Sequence, residues 1–213
     1  MMINKRIIIS ILNYVLNRRY IIWRKNNLSK KQVCLTFDDG PSEYTEKILN
    51  ILDANQVKAI FFLVGKNVKT HFPIARKIVE RGHIVGNHGF DHKDMTKMSL
   101  REFLEDINNS EHILGELCGK PIKIYRPPYG GLSLIKLFIL WGKGYKVVMW
   151  SKDIKDYASD TEEIQMKKIN NVTVDDGDIF LFHDSCRITS VTIDDFIKTM
   201  HKRSVSFSCN GFV

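Results

Sequence analysis

From residue 31 onward, strand-like runs alternate with helix-like runs, and this alternation leaves few possible folds. The short apolar runs have the length of strands, and in the first of them Val33, Leu35 and Phe37 alternate as strand residues do, whereas the longer runs between them resemble helices. The predicted strands are Val33–Phe37, Ala59–Val64, His83–Gly86, Lys123–Tyr125, Tyr145–Trp150, Ile179–Phe182 and Ser204–Phe207. The predicted helices are Ser42–Ala54, Phe72–Glu80, Leu100–Leu117, Leu132–Trp141, Thr161–Val174 and Ile193–His201. Strict alternation predicts an α/β protein with a parallel sheet and outer helices, and about seven strands favour a barrel over an open sheet.

Short signals mark the ends of several predicted helices. Ser42, Ser99 and Thr161 each precede a helical run and are followed by Asp or Glu, as capping residues are. Gly82 and Gly144 follow helical runs, where glycine often ends a helix. These signals support the predicted order of elements independently of the apolar pattern.

Polar side chains follow five of the predicted strands. They are Asp38 and Asp39 after the first strand, His88 and His92 after the third, Arg126 after the fourth, Asp153 and Asp156 after the fifth, and His183 after the sixth. In parallel α/β sheets and barrels, chemistry gathers at the carboxyl ends of the strands. Each motif alone is common in turns, loops and surfaces, but scattered surface charges need not follow the strands. We therefore expect these side chains to surround one pocket.

Two of these side chains have the spacing of metal ligands. His88 and His92 are four residues apart, which lets two imidazoles converge where the intervening turn is helical. Two histidines and a carboxylate leave coordination positions open for water and substrate, as hydrolytic metal sites do. The remaining histidines lie in predicted helices or strand-like stretches and are expected at the surface or in the core: His71, His83, His112 and His201.

The adjacent aspartates Asp38 and Asp39 can have two different roles at such a metal site. A metal ion needs an anionic ligand, and the water that it binds needs a base to take its proton. One of the two carboxylates can therefore face the metal ion and the other the water. Adjacent residues in an extended chain point to opposite faces, so a turn must reorient one of them, and Gly40 and Pro41 are turn residues. Arg126 could keep the base ionised.

The leaving group of a hydrolytic reaction also needs an acid. A histidine that a carboxylate holds in its protonated form can supply that proton. His183 with Asp156 fits this role.

Given these residues, the sequence resembles the NodB-homology polysaccharide deacetylases, carbohydrate esterase family 4, over roughly Val33 to Asp184. Five stretches carry the resemblance in the family's order: TFDDG, GHIVGNHGFDH, RPPYG, WSKDIKDY and LFHD. The resemblance implies a distorted (β/α) barrel. It also implies metal-dependent removal of N-acetyl groups from a GlcNAc-containing glycan, such as a chitooligosaccharide, peptidoglycan or an exopolysaccharide, with release of acetate.

The resemblance assigns the metal ligands and the base. Asp39, His88 and His92 would hold a divalent metal ion, usually Zn²⁺, with Co²⁺ or another transition ion as alternatives. Asp38 would be the general base, and Arg126 would orient it and tune its pKa.

The resemblance also assigns the general acid, the oxyanion donor and the residues of the acetyl pocket. His183 would be the general acid with Asp156 as its partner, and the backbone N–H of Tyr129 would help to bind the oxyanion. Leu181 and Tyr157 would help to line the pocket for the acetyl methyl group.

Two positions depart from the family pattern. Gly89 stands where the family usually has Ser or Thr, and losing a hydroxyl that could brace the loop predicts weaker metal binding. Tyr157 stands where the family usually has Trp, which predicts a wider or more polar acetyl pocket. These two positions are the only support for one alternative, an inactive glycan-binding barrel. Two others stay open because the resemblance implies them for the wider family: an O-acetyl esterase and a hydrolase of small cyclic amides.

The chain is basic, with 32 Lys and Arg against 24 Asp and Glu, a net charge of +8. This excess suits an anionic lipid or glycan, or simply a solvated lysine-rich surface. No arginine-rich tract or basic stripe with interleaved aromatic residues is present, so we expect no nucleic-acid partner. The cysteines form no CxxC pair and favour a reducing compartment: Cys34, Cys118, Cys186 and Cys209.

Residues 1–28 form a basic and apolar segment ahead of a catalytic domain predicted for residues 29–213. The apolar run Ile7–Leu16 is too short to span a bilayer, and no small-residue cleavage site follows it. As a helix, the segment would carry an apolar side extending to Ile22, which could lie on a membrane surface or pack on the domain. A removed signal peptide is the third possibility. We expect a cytoplasmic or membrane-associated protein rather than a secreted one, and the sequence does not indicate its oligomeric state.

Overall fold

The computed structural model describes residues 20–24, 31–159 and 161–209. The strands in these ranges are β1 (Ile21–Ile22), β2 (Gln32–Asp38), β3 (Ile60–Leu63), β4 (Ile84–Asn87), β5 (Ile124–Tyr125), β6 (Lys146–Val148), β7 (Lys152–Asp153), β8 (Ile179–His183) and β9 (Ser206–Phe207). The α-helices are α1 (Thr45–Ala54), α2 (Gly65–Thr70), α3 (Phe72–Glu80), α4 (Leu100–Cys118), α5 (Leu134–Gly142), α6 (Glu162–Asn171) and α7 (Arg187–Lys202). Short 3₁₀ helices at Pro128–Gly130 and Asp156–Ala158 follow β5 and β7.

The strands form one curled sheet in the order β1-β6-β5-β4-β3-β2-β8-β7, and β9 pairs with the first two residues of β2. Every pair is parallel, so the carboxyl ends of the strands lie along one edge. The predicted α/β fold, a distorted barrel with connecting helices, is confirmed. The sequence predicted about seven strands, and the two that it missed are β1 and β7.

The centre of the sheet is the most buried part of the fold. After Gln32, every residue of β2 is buried, and so are all four residues of β3. Phe37 stacks on Phe61 with ring centroids 4.9 Å apart, and Phe182 of β8 lies 6.0 Å away on the other side of Phe37. Parallel strands covered on both faces read as continuous apolar runs, which is why these strands were recognisable in the sequence.

Two of the three predicted helix caps are confirmed. The Ser99 side chain accepts the N–H of Glu102, whose carboxylate accepts the N–H of Ser99, and this capping box starts α4. Thr161 caps α6 by accepting the N–H of Ile164. Ser42 does not cap a helix, because its hydroxyl holds the N–H of Tyr44 within the preceding turn and α1 begins only at Thr45.

Several predicted boundaries are wrong, and three short elements were missed. The last helix begins at Arg187 rather than Ile193, and the helix predicted to reach Val174 ends at Asn171. The missed elements are β1, β7 and α2; β1 and β7 have two residues each, and α2 has only six mostly polar residues. Runs this short complete few periods, and of the four two-residue strands in the described ranges only β5 and β9 were predicted.

The N-terminal prediction fails where it can be compared with the structure. Ile22 lies in strand β1, paired with Val148 of β6, and not on a helix. Residues 1–19 and 25–28, which carry the rest of that prediction, lie outside the described residues. None of the helices in the described part of the chain is long and apolar enough to cross a membrane.

Candidate active site

The predicted strand-end motifs meet around one pocket of about 630 Å³. Its walls include eight of the predicted site residues: Asp38, Asp39, His88, His92, Tyr129, Tyr157, Leu181 and His183. The other two, Arg126 and Asp156, are fully buried and contact Asp38 and His183 respectively. The expectation that these side chains surround one pocket is confirmed.

The backbone turns sharply between the two aspartates. Asp38 is the last residue of β2, and Asp39 adopts a left-handed conformation with φ of 73°. Its carbonyl accepts a hydrogen bond of 2.7 Å from the Asn67 side chain, which helps to hold the turn. The predicted reorientation is therefore present, but the left-handed residue is Asp39 itself and not Gly40. As a result, the two carboxylates have different partners.

Asp39, His88 and His92 form a cluster whose ligand atoms all lie within 4.8 Å of one another. Asp39 Oδ1 lies 2.9 Å from His92 Nε2 and 3.3 Å from His88 Nε2. His88 Nδ1 lies 2.7 Å from the carbonyl oxygen of Arg126, to which it donates, so in the neutral imidazole Nε2 is the nitrogen free to bind a metal ion.

The chemistry of this cluster fits a divalent metal ion. Asp39 Oδ1 is buried without a hydrogen-bond partner of good geometry among the described residues, although two ring nitrogens point towards it. Burial raises the pKa of Asp39, but contacts with His88 and His92 outweigh this and hold it well below its usual range. One anionic oxygen and two imidazoles are the ligands that zinc and similar ions take in hydrolytic sites.

Asp38 is held by a fully buried arginine, as predicted. Arg126 Nη1 donates to Asp38 Oδ1 at 2.7 Å and to Thr36 Oγ1 at 2.8 Å. Its Nε and Nη2 atoms donate to the carbonyls of Val148 and Met149 at 2.9 and 2.8 Å. The guanidinium cannot rotate without losing these bonds, so it fixes one oxygen of Asp38. The other, Oδ2, lies 3.7 Å from His88 Nε2, beside the metal ligands.

His183 and Asp156 form the predicted hydrogen-bonded pair. His183 Nδ1 donates to Asp156 Oδ1 at 2.8 Å, and the His183 backbone N–H donates to Oδ2 at 2.7 Å. Thr189 Oγ1 and the N–H of Tyr157 also donate to this carboxylate, which is fully buried. Burial lowers the pKa of His183, but the hydrogen bond and charge of Asp156 raise it to about 9, with help from the two active-site aspartates. His183 is therefore a cation at neutral pH.

The three remaining predicted residues line the walls of the pocket. Tyr129 has φ of 59°, its side chain is 72% exposed, and its ring lies 4.7 Å from the His92 ring. The Tyr157 ring meets His183 edge-on at 5.3 Å, and its hydroxyl lies 3.4 Å from Asp153 Oδ2. Leu181 is buried in β8. Their positions agree with the predicted roles, which remain predictions.

Some residues at the site were not predicted to belong to it. Asp153, which was expected at the pocket as a strand-end residue, does line it, and so do four residues that were not predicted: Pro127, Trp150, Ser185 and Cys186. Each is within three positions of a predicted site residue or ends a predicted strand, so proximity to the motifs was the available signal. Asp106, far away in sequence, also contacts the loop between the histidine ligands, and no local signal indicated it.

Comparisons with known proteins agree with this geometry. Peptidoglycan-N-acetylglucosamine deacetylase of Bacillus cereus is 39% identical over 130 residues, which are 61% of this chain and 47% of that protein. The chain thus spans about half the length of this relative. A solved peptidoglycan N-acetylglucosamine deacetylase matches with a TM-score of 0.84 at 28% identity over 92% of each chain. A CE4-family pseudoenzyme from Bacillus anthracis matches with a TM-score of 0.80 at 26% identity over 89% of this chain and 67% of that chain. The family model described as polysaccharide deacetylase matches residues 25–148, more than half of the sequence, and the chain therefore belongs to the polysaccharide deacetylase family.

Proposed function

We propose that this chain hydrolyses the N-acetyl group of GlcNAc-type residues in a glycan, releasing acetate and leaving a free amino sugar. The observation that carries the proposal is the completeness of the site. Three metal-type ligands, a carboxylate fixed by a buried arginine and a protonated histidine all face one pocket. A barrel that only bound glycans would not need all of these groups together.

The proposed metal ion is Zn²⁺, held by Asp39, His88 and His92, with Co²⁺ as a functional substitute. When bound, it would supply Lewis-acid activation of the amide carbonyl and of the attacking water. His88 is suited to this role because the Arg126 carbonyl fixes its tautomer, so that Nε2 faces the other ligands.

Asp38 would take a proton from the attacking water as its oxygen bonds to the acetyl carbon. Arg126 keeps Asp38 in one orientation through the hydrogen bond to Oδ1. The N–H of Tyr129 would donate a hydrogen bond to the carbonyl oxygen as it gains negative charge. Tyr129 lines the pocket beside His92, which places its peptide near the proposed reaction centre.

His183 would donate a proton to the sugar nitrogen as the carbon–nitrogen bond breaks. Its Nδ1 is bonded to Asp156, so Nε2 is the atom that would transfer this proton. The products are acetate and an amine, and Asp38 and His183 return to their starting states after proton exchange with water.

The substrate class is supported by relatives rather than by the pocket alone. The Bacillus cereus relative and the solved deacetylase are both named for N-acetylglucosamine in peptidoglycan. Two exposed tyrosines, Tyr129 and Tyr157, stand at the pocket and could contact a sugar ring. An N-acetylated glycan is therefore the proposed partner.

The test is a comparison of substrates. Purified protein with Zn²⁺ or Co²⁺ should release acetate and an equal amount of free amine from N-acetylglucosamine oligomers, and release acetate more slowly from acetyl-xylan. Faster acetate release from acetyl-xylan would favour the O-acetyl esterase instead. Binding of the oligomers without any acetate release would favour the inactive glycan-binding barrel.

A further inference from the structure

The loop between the two histidine ligands is held closely by its surroundings. We call residues 88–92 the ligand loop, because it begins and ends at a proposed metal ligand. The carbonyls of Gly89 and Phe90 accept the N–H groups of Gly65 and Lys66 at 2.9 and 3.0 Å. Gly65 and Lys66 open helix α2, so the start of this helix fixes the carbonyls of the loop.

One buried carboxylate holds the N–H groups of the same loop. Asp106, on helix α4 and only 8% exposed, accepts the N–H of Phe90 at Oδ2 and of Asp91 at Oδ1, at 2.9 and 3.0 Å. A single side chain therefore accepts hydrogen bonds from the backbone N–H groups of two successive residues between His88 and His92.

Asp106 and Gly89 fit together in shape. Gly89 has φ of 79°, a conformation that a residue with a side chain rarely adopts. A Cβ atom at this position would lie 2.8 Å from Asp106 Oδ2, which is too close for either atom to stay in place. Glycine therefore leaves room for the carboxylate at the position where Ser or Thr was expected.

We propose that Asp106 is a positioning residue for the metal site. Its carboxylate has room beside Gly89 and holds the ligand loop, in place of a hydroxyl group at position 89. This inference depends on the proposed function only in that Asp39, His88 and His92 must bind a metal ion. Partners that orient metal ligands typically change metal affinity by about 10–100-fold when they are removed. The sequence predicted that Gly89 weakens metal binding. The proposal predicts the opposite, because glycine leaves the room that the Asp106 carboxylate needs beside the ligand loop.

The test measures Co²⁺ binding without substrate, by affinity and by the visible absorption spectrum of the bound ion. Asp106→Ala should raise the Kd for Co²⁺ by about 10–100-fold and alter the spectrum at saturation. Asp106→Asn keeps one acceptor and should show a smaller rise, and it carries the test if the alanine variant does not fold. A wild-type Kd and spectrum in both variants would overturn the proposal.

Leu114→Ala is the matched control for a merely structural effect. Leu114 lies on the same helix, is fully buried in the core and does not contact the ligand loop through any hydrogen bond. This variant should lower the melting temperature of the metal-free protein but leave the Co²⁺ Kd and spectrum unchanged. A rise in Kd equal to that of Asp106→Ala would show that Asp106 acts only through general stability.

The fit between the two residues is tested by combining variants. Gly89→Ser should weaken Co²⁺ binding in the wild-type protein, and should weaken it less when Asp106 is already alanine, because the close contact is gone. An equal effect in both backgrounds would overturn the matched-pair part of the proposal. Since no substrate is used, failure to deacetylate glycans would leave these results standing, whereas absence of Co²⁺ binding to the wild type would remove the metal site itself.

Discussion

At the residue scale, two adjacent aspartates do different work because the chain turns between them. Asp38 ends a strand and meets a buried arginine, whereas Asp39 takes a left-handed conformation and meets two histidines. Aspartate tolerates this conformation better than most residues. Gly40 is needed for another reason: a Cβ atom there would lie 2.0 Å from the Asp184 carboxylate. The sequence therefore predicted the turn correctly, but only the structure shows that Asp39 is its left-handed residue and that Gly40 lies against Asp184, which no local pattern reveals.

Replacing Asp38, the proposed base, tests directly whether the two aspartates have different roles. Asp38→Asn should lower kcat by about 10²–10⁴-fold, because general acid–base groups are typically worth that much. Co²⁺ binding should persist, since Asp38 is not among the ligand atoms. Asp39→Asn is the matched variant and should lose Co²⁺ binding as well as activity. Equal loss of metal from both variants, measured by equilibrium dialysis, would contradict the assignment.

The raised pKa of His183 predicts how activity depends on pH. A general acid must carry its proton, so kcat should be retained at neutral pH and fall as pH rises through about 9. Asp156→Asn removes the main group that raises this pKa, so the fall should move to lower pH. Kinetic pH profiles of both proteins measure the shift, and identical alkaline limbs would rule out His183 as the acid.

The same pair also links stability to pH. Because the folded pKa of His183, about 9, lies above the usual 6.5, its contribution to folding is fully present below pH 6.5 and is lost as pH rises towards 9. Urea unfolding at a series of pH values should show this loss in the wild type and a much smaller one in Asp156→Asn. The same pH dependence in both proteins would contradict the pairing.

At the element scale, long and apolar elements were predictable, whereas some short or polar ones were not. The central strands β2, β3 and β8 carry continuous apolar runs, so their positions were correct. Strand β7 is only Lys152 and Asp153, and it exists because β8 offers hydrogen bonds beside it. Asp106 lies in a polar run of α4, and only the packing of that helix against the ligand loop makes it a buried acceptor.

The capping box at the start of α4 gives a stability prediction for this element. Ser99→Ala removes the acceptor for Glu102 N–H and should lower the free energy of unfolding by about 1 kcal/mol. In a chain of this size that corresponds to a fall in melting temperature of about 2–4 °C. Calorimetry measures the change, with Ser133→Ala as the control, because Ser133 precedes helix α5 but its side chain makes no capping hydrogen bond. An unchanged melting temperature for Ser99→Ala would mean that the cap contributes little.

At the scale of the whole molecule, the parallel sheet explains how distant motifs meet. Asp38 and His183 are far apart in sequence but directly opposite in register, because β2 and β8 are parallel neighbours. With every pair parallel, each strand delivers its following residues to the same edge. The convergence of the motifs was therefore predictable from element order, and the pairs Arg126–Asp38 and His183–Asp156 were predicted from residue chemistry. The other contacts of Arg126 and Asp156, with backbone carbonyls and with Thr189, needed the structure.

The most direct test of the central claim is a metal titration of acetate release. Protein stripped by a chelator is mixed with N-acetylglucosamine oligomers, and acetate is measured as Zn²⁺ or Co²⁺ is added. We expect no release at first, then a rise that saturates near one ion per chain, with His88→Ala remaining inactive at the same concentrations. Acetate release by the stripped protein, or none at all when one ion is bound per chain, would contradict a metal-dependent deacetylase built on Asp39, His88 and His92.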